Sequence, residues 1–497
     1  MTAEAGADVL RGGGNAVDAA VGAVLMSFAA ESTLTGPGAG GFMLIHTASG
    51  EDHLLDFFVA APGRGVDAPQ PAELEAIEIE FAADAIQVFH IGPSSCGVYG
   101  TTAGLAEALS RFGSAGFEAL VAAPARAARD GVEVTPMQEH LFRILGPILR
   151  STPEGRAIYE PAGRPLRAGE RVMLPELADL IERLGREGPT FLYRGDVAGA
   201  VSDWVLEHGG LLTRDDLASY EVVERAAARA RYRGREVLTN PPPSSGGILI
   251  AYSLDLLERV GRPGDVRTLV EVMDRTNRAR TEEFLIGLHS EGYLERLLAK
   301  EAMEGAATEV RTRLGSTTHI SVLDDEGASV SVTCSNGSCS GVVVPGTGVL
   351  LNNMLGEQDL NPLGYHRHAA GRRIPSMMAP TLVLRDGVTE VALGSAGSNR
   401  IRSAILQTIL GVVDDGLSAQ AAVDRDRLHF EDGTVEAEPG IRAGALDEME
   451  RDGWRVHRWS ERHLYFGGVQ AVARDPVTGE LTGGGDPRRG GAAVVVG

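Results

Sequence analysis

The chain has 497 residues, 43% of them hydrophobic and 23% charged, with a formal net charge of −22. That composition suits a globular protein with a large core, and so acidic a surface argues against nucleic acid and anionic membranes as partners. Cys96, Cys334 and Cys339 are too few for a disulfide framework and lack metal-site spacing, so they read as buried free thiols.

The first residues, "TAEAGADVLRGGGNAVDAA", predict an amphipathic helix and a glycine turn leading into the apolar run Ala19–Ala30. That run is shorter than the ~20 residues a membrane span needs. It follows Asp18 and has no basic lead-in, so it reads as a buried helix and not as a signal peptide. On that ground a cytoplasmic protein is expected, or a periplasmic or secreted one if the N-terminus is incomplete. "GFMLIHTASGEDHLLDFF" predicts a hairpin turning at Ala48–Glu51. From 103 to 300 apolar residues recur at three and four, which predicts mostly helix with stops at Gly188-Pro189 and Gly209-Gly210. "RYRGREVLTNPPPSSGG" at 231–247 interrupts it as a strand entering a proline-stiffened loop.

Residues 301–316 are polar and have no apolar face. From Thr317 onward the pattern is β. "HISVLDDEGASVSVTC" and "TLVLRDGVTEVALGS" predict hairpins with turns at Asp-Asp-Glu-Gly and Arg-Asp-Gly. A helix over 399–413 and a last hairpin from "GGVQAVARDPVTGELTGGGDPRRGGAAVVV" follow. A helix-rich part before a strand-rich part, with strands at both ends of the chain, predicts an α+β or layered α/β domain with one shared core.

Several motifs imitate chemistry. Gly36-Pro-Gly38-Ala-Gly-Gly41 matches G-x-G-x-x-G, but it follows a helix and opens a strand, the reverse of a dinucleotide site. A tight backbone crossing is expected there instead. His366-Arg-His368 has no third ligand at useful spacing, so no metal and no cofactor are expected. Asn336-Gly-Ser338 is a glycosylation sequon, relevant only in a secreted eukaryotic chain.

"GSTTHIS" places a hydroxyl pair at the root of a core strand. Two readings fit: an ordinary strand-initiating turn, or a nucleophile. A threonine hydroxyl is a weak nucleophile until a base takes its proton, and cutting the chain before it frees its own α-amine for that task. An α-amine titrates at about 7.7–8.0, where a general base works well.

The segments "EAGADVLRGGGNAVDAAV", "GPGAGGFMLIH", "VYGTTAGL", "PPPSSGG", "TTHISVLDDEGASVSVT", "GTGVLLNN", "PSMMAPTLVLRDG", "GSAGSNRIRSAILQ", "FGGVQAV" and "DPRRGGAA" run in order over nearly the whole chain. Together they resemble the γ-glutamyltranspeptidases, members of the N-terminal-nucleophile hydrolases. The resemblance implies a four-layer αββα sandwich and self-cleavage between Ser316 and Thr317. The products are a helix-rich large subunit, 1–316, and a strand-rich small subunit, 317–497, in one continuous fold. It implies Thr317 as nucleophile, with its amine as base. The partners implied are a small-molecule amide, glutathione being the family's example, and an amine or water as acyl acceptor.

Other roles carry over by position. Ser335 falls on the family's threonine that hydrogen-bonds the nucleophile. Gly397 and Ser398 fall on the turn whose backbone N–H groups form the oxyanion hole. Glu357 stands where an acid holds the donor's α-amino group, and Ser376-Met377 where two serines bond its carboxylate. The asparagine expected after Ser335 falls at Gly337, with Asn336 one position away. Phe58 replaces the arginine that grips the carboxylate, and Met354 replaces a polar residue after Asn352-Asn353. Losing a bidentate arginine removes a charge-assisted pair that is hard to replace. Either another arginine, Arg400 or Arg402, takes the carboxylate, or the enzyme acts on another acyl amide, such as a glutaryl or β-lactam side chain. A scaffold-retaining binding protein without catalysis is the third reading.

Overall fold

A computed structural model describes every residue except 68–69, 83–84, 262–264, 291, 294–295 and 298–316. Two sheets are built from eleven strands: β1 (Gly40–His46), β2 (Asp52–Phe57), β3 (Val223–Arg225), β4 (Ala228–Tyr232), β5 (Arg235–Thr239), β6 (Thr318–Leu323), β7 (Ser329–Ser335), β8 (Thr381–Arg385), β9 (Val388–Ala396), β10 (Gly468–Arg474) and β11 (Leu481–Gly485). The first sheet runs β6-β7-β1-β2-β3 and the second β11-β10-β9-β8-β5-β4. Each sheet joins strands from before and after residue 317, at the β7–β1 pair in the first and the β8–β5 pair in the second.

Period-two side-chain alternation sorts the apolar residues into layers. In β1, Met43 and Ile45 join the cluster containing the helix α2 (Ala16–Ala30), while Phe42 and Leu44 join the cluster between the sheets. In β8, Leu382 and Leu384 face that same inter-sheet cluster, and Val383 faces a third cluster. The third cluster contains residues of α3 (Ser245–Val260) and α4 (Arg400–Val413). Helix α2 lies on β6 and β7, β6 lies against β9 and β10, and α3 and α4 cover the outside of the second sheet. Three apolar clusters thus fill the three interfaces of an αββα sandwich, as the resemblance implied.

Helix α2 is buried along its length and starts with a capping box. Asn15 accepts from the N–H groups of Val17 and Asp18, and the Asp18 carboxylate accepts from Asn15 N–H. Those exchanges satisfy donors that burial would otherwise leave unpaired.

In β7 the hydroxyls of "SVSVTCS" face the second sheet while Val330 and Val332 face α2. Ser329 bonds Thr389, and Ser331 donates to the Leu393 carbonyl. His319 of β6 shares this polar seam, 2.8 Å from Thr333 Oγ1 and 2.9 Å from Ser321 Oγ. A Cβ on Gly394 would sit 2.3 Å from the His319 ring, so glycine is required there.

Burial pulls the His319 pKa down to about 3. The folded imidazole therefore stays neutral while the unfolded one takes up a proton near about pH 6.5. The stability tied to this site is present above about pH 6.5 and is lost as pH falls from there toward 3. The thermal midpoint of the wild type is expected to fall more steeply with acidification over that window than that of His319→Gln. Parallel pH curves would refute the assignment.

One expectation changes. Residues 231–247 hold a hairpin end and not a single strand: β4 and β5 turn at Arg233-Gly234, with φ values of 48° and 74°. Left-handed arginine is uncommon, so the turn lacked the usual Asn-Gly or Asp-Gly signal. A hairpin at Glu75–Ala82 and Ala85–Ile91 and a small sheet of Leu428–Glu431, Thr434–Ala437 and Arg455–Arg458 also went unread. Among the described residues no helix is long and apolar enough to cross a membrane. The polar stretch 301–316 lies outside the described residues.

Candidate active site

Thr317 stands immediately before β6 and is 7% exposed. The register pairs Thr318 with Cys334, which sets Thr317 beside Ser335 at the end of β7. Thr317 Oγ1 donates to Ser335 Oγ at 3.4 Å, long for a hydroxyl pair. Ser335 Oγ also accepts from Gly337 N–H at 2.8 Å. Ser316, the expected other side of the cut, lies outside the described residues.

The glycine run of Gly36–Gly41 passes behind this point. A Cβ on Gly41 would lie 2.3 Å from the Thr333 carbonyl oxygen, and one on Gly38 2.3 Å from that of Leu350. It is the close backbone crossing expected from sequence, and any side chain there would displace the strand that carries Ser335. On the other flank, Glu31 accepts from Thr318 Oγ1 at 2.7 Å and from Thr2 Oγ1 at 2.6 Å, tying the start of β6 to the N-terminal helix Thr2–Arg11.

A cavity of about 980 Å³ runs along β6 from Thr317. Glu31, Ala396, Gly468, Gln470 and Arg489 are among its walls. Ala396 ends β9, and the next two residues form a left-handed turn: Gly397 has φ 122° and Ser398 φ 54°. Their carbonyls accept the N–H groups of Arg400 and Ile401, the first residues of α4. Among the described residues, their own N–H groups find no acceptor. Two adjacent unpaired N–H groups beside the cavity that holds Thr317 form a nest able to bind an oxyanion.

The loop after Asn352-Asn353 links the two turns. Asn352 Nδ2 donates to the carbonyls of Gly38 and Gly97 at 2.8 and 3.1 Å, so it pins backbone. Asn353 Oδ1 and Glu357 Oε1 accept Ser338 N–H at 2.7 and 2.9 Å, and Ser338 Oγ donates to the same Glu357 oxygen at 2.6 Å. Two residues on, Asp359 Oδ2 accepts from Ser398 Oγ. One short loop therefore holds both the turn after Ser335 and the turn at Gly397-Ser398.

The other expected residues divide. Asn336 is fully buried in the same turn, and its side-chain amide has no partner among the described residues. That burial also makes the sequon at Asn336 unavailable for glycosylation. Ser376 Oγ accepts from Met378 N–H, and its carbonyl accepts from Ser244 Oγ and Ser245 N–H. Met377 packs in the apolar cluster outside the second sheet, with its sulfur 2.9 Å from Ser245 Oγ. These two thus support the Ser244-Ser245 loop.

Phe58 is fully buried between the sheets, stacked on Phe42 at 5.2 Å. Arg373 instead binds the neighbouring Asp56, at 3.2 Å, together with Arg225 at 2.7 Å. Arg402 donates to Asn277 at 3.0 Å, and Arg400 lies over the Tyr465 ring at 4.2 Å. Burial lowers the Arg402 pKa to about 9. Both arginines are engaged within the protein. Among the described residues no group of side chains could hold a metal, at His366 and His368 or elsewhere.

Sequence reading passed over Asp359, Glu31 and Arg489. Asp359 was shadowed by Glu357 two positions earlier, and the contacts of the other two are made by distant segments.

The family model for gamma-glutamyltranspeptidase matches residues 2–496. The chain is 31% identical to the acylase ACY 1 proenzyme of Pseudomonas sp. (strain SE83), over all of this chain and 92% of that one. It is 30% identical to the glutathione hydrolase proenzyme of Escherichia coli (strain K12), over 98% of this chain and 88% of that one. Its fold is similar to the crystal structure of cephalosporin acylase from Bacillus halodurans, with a TM-score of 0.83 and 25% identity over 100% and 94% of the two chains.

Proposed function

The chain belongs to the gamma-glutamyltranspeptidase family, and from that premise we propose that it is a self-processing amidohydrolase with Thr317 as its nucleophile. The observation that carries this is the placement of Thr317: at the root of β6, with its hydroxyl toward Ser335, in one cavity with the end of β9 that leads into the Gly397-Ser398 nest.

Processing begins with attack of Thr317 Oγ1 on the Ser316 carbonyl carbon. The peptide C–N bond breaks, which frees the Thr317 α-amine and leaves an ester on Oγ1, and hydrolysis of that ester restores the hydroxyl and separates the two chains. The two subunits, 1–316 and 317–497, stay together because their strands share both sheets. In turnover the amine takes the hydroxyl proton as Oγ1 attacks the donor carbonyl. The carbonyl oxygen becomes an oxyanion held by Gly397 and Ser398 N–H. The amine returns its proton to the departing nitrogen and leaves an acyl ester on Thr317. Water, or an acceptor amine, then takes the acyl group.

The substrate class is γ-glutamyl and related acyl amides, with hydrolysis favoured over transfer to an amine. A second reading, an acylase for non-glutamyl acyl amides such as glutaryl or β-lactam side chains, draws on Phe58: a buried, stacked ring stands where the gripping arginine was expected. A panel of p-nitroanilides carrying γ-glutamyl, glutaryl and aliphatic acyl groups separates these readings. Mass spectrometry should give two polypeptides, one beginning at Thr317. A cleaved sample that turns over none of the panel refutes the enzymatic reading.

A further inference from the structure

Asn399 joins the Gly397-Ser398 turn to α4, at the N-cap position of the helix. Asparagine is favoured at that position because its side-chain oxygen accepts from free N–H groups of the first helical turn. Asn399 makes no such bond. It is fully buried, and its side chain meets two other partners. Nδ2 donates to Glu431 Oε1 at 2.7 Å, and Oδ1 accepts from Arg280 Nη1 at 3.2 Å.

Both partners are held in turn. The other oxygen of Glu431 is 3.1 Å from His429 Nε2, and His429 Nδ1 is 2.8 Å from Ser403 Oγ in the first turn of α4. Burial works against the Glu431 charge, but the His429 bond and the fields of His429, Arg400 and Arg402 bring its pKa down to about 2. It therefore remains an ionised acceptor at neutral pH. Arg280 is 4% exposed, and its charge is attracted by Glu431 and by Asp359, the carboxylate that holds Ser398 Oγ. The turn needs this outside support. Its N–H groups must stay unpaired to receive an oxyanion, so no hydrogen bond of their own can fix them. On the strand side, Ala396 is fixed by its pairing with Gly468. On the helix side, Asn399 is the first residue, and it has a charged partner at each end of its amide.

We propose that Asn399 is a positioning residue for the reaction: held between Arg280 and Glu431, it fixes the Gly397-Ser398 turn so that both N–H groups face the forming oxyanion. The assignment rests on the function proposed above. Asn399 acts only through the turn. The oxyanion arises on the way to the acyl ester and is absent from the bound donor. A loosened turn therefore lowers kcat and leaves donor binding intact.

The test assays Asn399→Ala, Glu431→Ala, their double variant, Glu431→Gln and Gln407→Ala on the best donor of the anilide panel, each after cleavage at Thr317. Asn399→Ala and Glu431→Ala are each expected to lower kcat about 10- to 100-fold with KM nearly unchanged. The double variant should lose no more than either single one, because both break the same clamp. Glu431→Gln keeps an oxygen for Asn399 Nδ2 and should keep most of the wild-type kcat. Gln407→Ala is the control. Its amide ties α4 to the Leu428 backbone, away from the turn, so the variant should lose thermal stability and keep kcat. Losses that multiply in the double variant would overturn the assignment. A rise in KM as large as the fall in kcat, or equal kcat losses in Gln407→Ala and Asn399→Ala, would do the same. Active wild type with an equally active Asn399→Ala overturns this assignment alone. Wild type that is cleaved but turns over no donor overturns the proposed function and this assignment together.

Discussion

Thr317→Ala is expected to give a single uncut chain of 52.3 kDa with no measurable turnover. In the proposed mechanism cleavage and catalysis both start at Oγ1, so loss of the hydroxyl removes both. In hydrolases whose nucleophile acts as part of a unit, its loss costs about 10⁶ in kcat. Refolding is not the cause, because Thr317 makes one long hydroxyl contact at the end of a strand whose backbone pairing stays intact. Thr317→Ser should retain both events at reduced rate, since the hydroxyl and the α-amine survive. Intact mass and anilide hydrolysis check the pair. An alanine variant that is cleaved, or that is uncut and fully active, would remove Thr317 from both roles.

Gly397→Ala is expected to lower kcat by about 10²- to 10³-fold with little change in KM, the signature of a lost oxyanion donor. Two constraints act on this residue. Its φ of 122° is unfavourable for a side chain, and a Cβ there would lie 2.9 Å from Gly467 Cα. Backbone cannot swing aside as a flexible side chain would, so the turn must shift and its N–H groups move off the oxyanion. The strain itself costs about 1–3 kcal/mol. Gly479→Ala is the control: it also has positive φ, but a Cβ meets nothing within 4 Å. That variant should lose stability without losing kcat. If Gly397→Ala matches it in kcat, the nest is not the oxyanion hole.

The parts of this architecture legible in sequence are those governed by local pattern. "SVSVTCS" alternates because one face meets α2 and the other meets the polar seam between sheets, so its strand was readable. "TLVLRDGVTEV" was readable because Asp386 and Gly387 both take positive φ, 52° and 80°, as a two-residue hairpin demands. Arg233-Gly234 makes the same kind of turn with a residue that does not announce it. The Gly36–Gly41 run announced close approach, while the strands it approaches came from Thr333 and Leu350, far along the chain.

The site divides along the same line. By itself the sequence determined the family, through the motifs it shares with it in order, and also the placement of a hydroxyl pair at the root of a core strand and a glycine turn ahead of a helix. The strand root and the turn follow from side-chain periodicity and backbone conformation, which neighbouring residues impose. The tertiary structure alone decided which groups are free to act. Glu357 is held by Ser338, Phe58 is stacked inside the inter-sheet core, and Arg400 and Arg402 are engaged behind the turn. Asp359 meets Ser398 across 39 residues and keeps one oxygen unpartnered among the described residues. Hydrogen-bond partners and burial are set by which segments the fold brings together, and no local pattern carries that information.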